Sequence, residues 1–285
     1  MKHTSFNWYE SDGKLVFARI WQPDETTTVR AVICLIHGMG EHSGRYEHVA
    51  EFFTNHGYAI IACDLRGHGQ SEGKRGHVTS YQILLDQVDR TLEEASKRFP
   101  GEPKFVYGHS MGGNIVVNHA LERKPAVEGV VASAPWLTLP NPPTKGQVRL
   151  AKFADFFGGS LTQPNKLPLD KLSRDQSVAV AYQADPLVHD QVSGRLFLSC
   201  FQQAQKAMDN AAMLSIPMLL MHGTADALTG HDGSREFAKR AGEMATYKEW
   251  EGFYHEIHNE PEKLEVLQYA LDWMEKQLET TMTLS

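Results

Sequence analysis

The stretch KFVYGHSMGGNIVVNHALE, residues 104–122, decides the fold. Its first part is short and apolar, as a buried strand is, and GGNIVVNHALE has helical length and ends in charge. Strand, tight turn and helix leave one residue at the apex, Ser110, and the flanking glycines relieve crowding where that residue is strained. This is the sequence form of a nucleophile elbow. A helix begins at the turn, so backbone N–H groups near Met111 point to where a carbonyl oxygen would gain negative charge. The same Gly-x-Ser-x-Gly pattern recurs as GQSEG, residues 69–73. There the strand YAIIAC runs into DLRGHGQSEGKRGHV, polar and glycine-rich, with no helix starting nearby; Ser71 is therefore expected to serve a turn and Ser110 to do chemistry.

Outward from this stretch the same rhythm repeats. Runs apolar on both faces, AVICLI (31–36), YAIIAC (58–63), KFVY (104–107), GVVASA (129–134) and PMLLM (217–221), alternate with segments of helical period at about 46–55, 80–98, 112–122, 233–242 and 261–278. Such runs suit a mostly parallel sheet covered by helices on both faces, an α/β fold. Residues 6–22 read as a hairpin, with SFNWYE and KLVFARIW flanking Ser11-Asp12-Gly13. Between Pro135 and Ala204 the rhythm stops: Pro140, Pro142, Pro143, Pro164 and Pro168 punctuate short amphipathic pieces with no clean strand. The expected organisation is a core of residues 1–135 and 204–285, with residues 136–203 inserted as a mostly helical cap.

A serine hydroxyl needs a base to take its proton and an acid to orient that base. In an open α/β sheet these follow later strands in the order serine, acid, histidine. PMLLMHG leads into Thr224-Ala225-Asp226, and YKEWEG leads into Phe253-Tyr254-His255. Asp226 and His255 are thus the expected partners. Asp232 and His231 share a loop, with Asp232 expected to cap the next helix; Asp185 precedes a proline, where a turn role is expected; and His258 is an alternative base three residues beyond His255. His119 and His222 read as a helix-face and a strand-end residue. A second oxyanion donor is expected after the first parallel strand, in His37-Gly38-Met39-Gly40, from the N–H of Met39.

Composition narrows the partners. The 285 residues carry a net charge of −7 with scattered basic residues, which argues against nucleic acid and against anionic membrane as an electrostatic partner. Cys34, Cys63 and Cys200 form no Cys-x-x-Cys pair and two sit in apolar runs, as reduced core thiols of a cytoplasmic protein would. MKHTSFNWYESDG lacks the apolar centre of a signal peptide, and no run approaches a membrane span. Fourteen histidines include no His-Glu-x-x-His, the interval in His255-Glu256-Ile257-His258 is wrong for two ligands on one helix face, and no phosphate-cradling glycine loop is present. No metal and no cofactor are expected.

With these residues in place the chain resembles the α/β-hydrolases of the monoacylglycerol lipase and lysophospholipase group. HGMGEHSGRY (37–46), DLRGHGQSEG (64–73), GHSMGG (108–113), ADPLV (184–188), HGTADALT (222–229) and FYHEIHNEP (253–261) occur in that family's order and spacing. The resemblance implies Ser110 as nucleophile, His255 as base, Asp226 as its orienting acid, and the Met39 and Met111 amides as the oxyanion hole. It implies that Glu41, Arg45, His109, Tyr182 and His258 meet the glycerol end of a small lipid ester, although Glu41 and Arg45 by themselves would also suit a structural ion pair. Monoacylglycerol hydrolysis through an acyl-enzyme is the expected activity, with lysophospholipase or general carboxylesterase, and a serine aminopeptidase-like amidase, as alternatives. A non-catalytic binding protein would not need an intact Ser, Asp and His. In the cap, Val148, Leu150, Ala151, Phe153, Ala154, Phe156 and Phe157 form a wide apolar face, suited to an acyl-chain mouth, to transient contact with a micelle or membrane surface, or to packing on the core.

Overall fold

The computed structural model describes residues 1–284, without the side chains at positions 150, 154, 156–158 and 281–284. Eight strands form the main sheet: β1 (Lys2–Tyr9), β2 (Leu15–Gln22), β3 (Ala31–Ile36), β4 (Tyr58–Cys63), β5 (Lys104–His109), β6 (Gly129–Ser133), then, beyond the insertion, β9 (Met218–Gly223) and β10 (Ala245–Trp250). Their order is β1-β2-β4-β3-β5-β6-β9-β10. The β1–β2 hairpin and its junction with β4 are antiparallel, and the remaining pairs are parallel.

The alternation of side chains along a strand explains why these runs are apolar throughout. In β3, Val32, Cys34 and Ile36 enter one core with residues of α2 (Gln82–Arg98), α3 (Met111–Glu122), α6 (Gly194–Asn210) and α7 (His231–Ala241). Ala31, Ile33 and Leu35 enter the other, beneath α1 (Glu47–Asn55) and α8 (Lys263–Leu284). Both faces of the central strands are thus dry, and all six residues of β3 and of β4 are buried. The chain places β4 on one side of β3 and β5 on the other. Loops leaving the C-terminal ends of β3 and β5 therefore diverge, and a crevice opens between them, the usual ligand position in an open α/β sheet.

Between β6 and β9 lie α4 (Lys145–Gly158), β7 (Thr162–Pro164), α5 (Gln176–Ala184), β8 (Gln191–Ser193) and α6. Strands β7 and β8 pair antiparallel over three residues each, too short and too near prolines to leave a period in the sequence. Thr144 and Gln147 form a reciprocal cap on α4, Asp175 caps α5, and Ser193 caps α6. Helix α6 runs through position 204, where the core was expected to resume, because Leu196, Cys200 and Ala207 hold one buried face at helical spacing against the core. Asp232 does not cap α7: the helix begins one residue earlier, at His231, and Asp232 pairs with Arg235 on the surface.

The elbow depends on close backbone approach. A Cβ at Gly112 would lie 2.1 Å from the Ile36 carbonyl oxygen and 2.5 Å from that of His37, so only glycine lets α3 start against the end of β3. Gly112→Ala should lower stability by about 2 kcal/mol or more, read as a lower denaturation midpoint with an unchanged slope in urea; an unaltered midpoint would show that the helix start has room to shift.

Candidate active site

Ser110 sits between β5 and α3 with φ of 56°, outside the region L-residues prefer, as an apex residue in a strand-to-helix turn should. Its backbone is pinned on both sides: its N–H donates to the Ser133 carbonyl, and its own carbonyl accepts from Asn114 and Trp136. The side chain meets His255 Nε2 at 2.9 Å. His255 lies beyond β10 and its Nδ1 is 2.7 Å from Asp226 Oδ2, beyond β9. Three loops from the same edge of the sheet thus bring together the serine, histidine and carboxylate that the sequence singled out. His255 and Asp226 are both buried.

Burial alone would push the His255 pKa down, but the Asp226 charge and hydrogen bond outweigh it and the net shift is upward. Burial favours the neutral form of Asp226, yet His255 and His222 together hold its carboxyl well below the usual range. Asp226 also accepts from the N–H groups of Leu228 and Thr229 and from the Thr229 hydroxyl. Every donor around it favours the ionised carboxylate.

The other candidates are occupied elsewhere. Ser71 donates to the Asp64 carbonyl and accepts from the Phe17 N–H at 2.9 Å, tying the GQSEG turn to β2. Asp185 accepts from Leu187 N–H in a turn and meets His42 Nε2 at 2.8 Å. His119 pairs with Asp89 on α2. His258 is buried among the rings of Tyr46, His48 and His109, and burial pushes its pKa down to about 3.

Met39 belongs to the loop after β3 and Met111 opens α3, so the Met111 N–H has no carbonyl one turn earlier in its helix to bond. Among the described residues no backbone carbonyl takes the Met39 N–H. The loop is braced by Glu41, whose Oε1 accepts from Gly38 N–H at 2.6 Å and from the Tyr46 hydroxyl at 2.7 Å. Arg45 bonds Glu41 Oε2 at 2.5 Å and grips both oxygens of Glu256 at 2.8 Å.

A cavity of about 140 Å³ lies over Ser110. Met39, Trp136, Leu139, Leu172, Val192, Phe197 and Leu228 supply apolar wall, while Glu41, His109, Tyr182, Asn165 and Glu256 supply polar atoms. Of the residues expected to touch a polar head, Glu41, His109 and Tyr182 line this space. Arg45 and His258 do not: Arg45 is drawn back by two carboxylates, its guanidinium 4.7 Å from the Tyr182 ring centre, and His258 packs edge-on against His109, stacked between Tyr46 and His48. Glu256, Asn165, Thr229 and His222 were missed as site residues. Glu256 could have been found as the neighbour of His255, and Thr229 within HGTADALT; Asn165 carries no signal in the sequence. Val148 and Ala151 of α4 line an adjoining cavity of about 320 Å³ that shares Asn165, Val192 and Phe197 with the first. Phe153 is 67% exposed, and Leu150, Ala154, Phe156 and Phe157 lie outside the described side chains. Among the described residues no helix is long and apolar enough to cross a membrane, and no group of side chains is arranged to hold a metal ion.

Residues 27–262 match the family described as serine aminopeptidase, S33. The monoacylglycerol lipase of Mycolicibacterium smegmatis is 35% identical over 90% of this chain and 91% of its own length. An abhydrolase domain-containing protein of Dictyostelium discoideum is 34% identical over 96% of this chain, which spans 29% of that longer relative. The crystal structure of a monoacylglycerol lipase from Paleococcus ferrophilus superposes with a TM-score of 0.81 at 35% identity, covering 97% of this chain and 100% of that one. The α/β-hydrolase fold follows from these matches and from the sheet order.

Ser110→Ala should abolish labelling by a fluorophosphonate probe. Ser71→Ala should keep it while losing about 1–3 kcal/mol of stability from two unmade hydrogen bonds. Label surviving on the Ser110→Ala protein and mapping to Ser71 would reverse the assignment.

Proposed function

The chain belongs to the serine aminopeptidase S33 family and is a carboxylic ester hydrolase, and from that premise we propose that it cleaves monoacylglycerols to fatty acid and glycerol through an acyl-serine intermediate. Ser110 Oγ attacks the ester carbonyl as His255 Nε2 takes its proton, and the Met39 and Met111 N–H groups receive the oxyanion. Collapse breaks the bond to the glycerol oxygen, which leaves with the proton from His255. Water, deprotonated by the same nitrogen, then releases the fatty acid and restores Ser110. Residues 136–203 act in this scheme as a roof, contributing Asn165, Leu167, Leu172, Tyr182, Val192 and Phe197 to the cavity wall.

The observation that carries the choice of substrate is the lining of the cavity. Apolar residues cover most of it, and each methylene they bury contributes about 0.8 kcal/mol. At the polar end two carboxylates, Glu41 and Glu256, face one guanidinium, Arg45, and no lysine or arginine is among the lining residues. A buried excess of one negative charge disfavours a phosphate and suits an uncharged head. This favours monoacylglycerols over lysophospholipids. An amidase that receives a substrate ammonium needs a free carboxylate, whereas Glu41 and Glu256 are committed to Arg45, Gly38 and Tyr46.

With purified protein in one detergent system, kcat/KM for monoolein should exceed that for triolein, methyl oleate, lysophosphatidic acid and an aminoacyl naphthylamide by about tenfold or more, since one lost polar contact amounts to about that factor. Equal rates on lysophosphatidic acid would overturn the charge argument, and equal rates on triolein would overturn the single-chain roof. The rate should also depend on pH in a defined direction. Proton uptake by His255 disables the base, and its pKa is raised, so kcat/KM should be lost as pH falls through a midpoint above the ordinary imidazole value. A midpoint below that value would mean that burial of His255 outweighs its interaction with Asp226.

A further inference from the structure

Asp226 Oδ2 serves two imidazoles. His255 Nδ1 approaches at 2.7 Å, and His222 Nε2, from the penultimate residue of β9, approaches the same oxygen at 3.0 Å. On its far side His222 Nδ1 meets Ser234 Oγ of α7 at 2.8 Å. His222 is fully buried and Ser234 is fully buried. An ionised carboxylate only accepts, so the proton of a neutral His222 must sit on Nε2, pointing at Asp226. Nδ1 is then an acceptor, and the Ser234 hydroxyl donates to it. The opposite tautomer would set the nitrogen lone pair against a carboxylate oxygen at 3.0 Å, and burial keeps the doubly protonated form away by pushing the His222 pKa down.

We propose that His222 is a positioning residue of the hydrolytic site, holding Asp226 in the one rotamer that serves His255, with Ser234 setting the tautomer that permits it. The chain of donation runs Ser234 O–H to His222 Nδ1, and His222 Nε2–H to Asp226; on the other side Ser110 O–H donates to His255 Nε2, and His255 Nδ1–H to the same oxygen. Thr229 Oγ1 lies within 3.2 Å of His222 Nε2 and 3.3 Å of His255 Nδ1, and donates to Asp226 or to the Ala134 carbonyl. It fills the wedge between the two rings and leaves His222 as the second nitrogen donor to Oδ2, the Leu228 and Thr229 N–H groups being bonded to Oδ1. The inference rests on the assignment of Ser110, His255 and Asp226 made above.

Removing the His222 donor leaves more unshared charge on Asp226, so His255 holds its proton more tightly and the acid limb of the rate profile moves to higher pH. The groups facing this unit are few. His231, whose own partner is the surface carboxylate of Asp232, faces His222 from the start of α7, while Glu256, Glu41, His109 and His258 surround His255. None of them donates to Asp226 Oδ2.

The test compares His222→Phe, His222→Gln and Ser234→Ala on monoolein, with Ser110→Ala as control and thermal unfolding to verify folding. His222→Phe should lower kcat by about tenfold to a hundredfold, leave KM within about twofold, and raise the acid-limb midpoint by about half a pH unit to one unit. His222→Gln, which keeps an N–H near the same point, should recover most of the rate and the original midpoint. Ser234→Ala, a milder change, should show the same midpoint shift in smaller degree. A folded His222→Phe protein with unchanged kcat and midpoint overturns the proposal, as does a folded His222→Gln protein no better than His222→Phe. Should His222→Phe fail to fold, the Gln and Ala variants decide: an unshifted midpoint in Ser234→Ala together with a rate loss in His222→Gln counts against positioning. Activity remaining in Ser110→Ala would instead strike the assignment on which the proposal rests.

Discussion

The approach of α3 to the end of β3 at Gly112 is the constraint from which the site follows. Because no Cβ stands at that position, the first turn of the helix lies against the Ile36 and His37 carbonyls, and the loop that follows β3 is forced alongside Ser110. Gly38 is held as closely: a Cβ there would come 2.8 Å from Glu41 Oε1 and 3.3 Å from Ser110 Cβ. The two proposed oxyanion amides, Met39 and Met111, are neighbours for this reason. A strained φ at Ser110 is tolerable because its N–H, its carbonyl and the packed helix behind it together over-determine the turn.

His37 and Glu41 carry that constraint outward. His37 Nε2 accepts from the Leu65 N–H at 2.9 Å, so Nδ1 must carry the proton that it donates to the Gly38 carbonyl at 2.7 Å. One buried ring thus joins the loop after β3 to the loop after β4. Burial pushes its pKa down, which keeps it in the neutral form that this pair of bonds requires. The GQSEG segment belongs to the same scaffold: its serine ties the loop to β2, and Gly67, at φ of 73°, accepts from His189 of the insertion. A sequence pattern shared by two serines therefore has two physical uses, one at the apex of a turn that faces a cavity and one inside a loop that supports it.

What the sequence made legible follows from what each residue answers to. Ser110, Asp226 and His255 could be placed because a strand period, a turn and a chain order each leave a local mark. The sheet was legible for the same reason, since strands dry on both faces are continuously apolar. The insertion was less so. Strands β7 and β8 are three residues long, and their pairing is a tertiary event with no period of its own. The retreat of Arg45 from the cavity was not legible either, because it is decided by Glu256, which stands 211 positions away in the chain. His222 looked like an ordinary strand end, and only the folding back of the turn after β9 and the start of α7 bring Asp226 and Ser234 to its two nitrogens.

The charges at the polar end are spent on architecture. A buried ion pair seldom adds net stability, since desolvation offsets most of the attraction, but removing one member leaves an unpaired charge at a cost of about 3–5 kcal/mol. Glu41, Arg45 and Glu256 are therefore fixed in number and place once the loop after β3 depends on them. Burial opposes ionisation of Glu256, and the Arg45 guanidinium reverses that and holds its pKa far down, so the network stays charged. The atoms left uncommitted at the cavity are neutral ones, among them the Tyr182 hydroxyl and the Asn165 amide nitrogen, neither of which has a hydrogen-bond partner among the described residues. The Asn165 carbonyl oxygen already accepts from the Leu167 N–H, which turns its NH₂ group towards the open space. An uncharged polyol head can exchange hydrogen bonds with such groups without displacing any buried charge. A phosphate or a free ammonium would have to compete with the ion network that braces the loop after β3, so the proposed selectivity for neutral heads would come from the same three side chains that hold that loop.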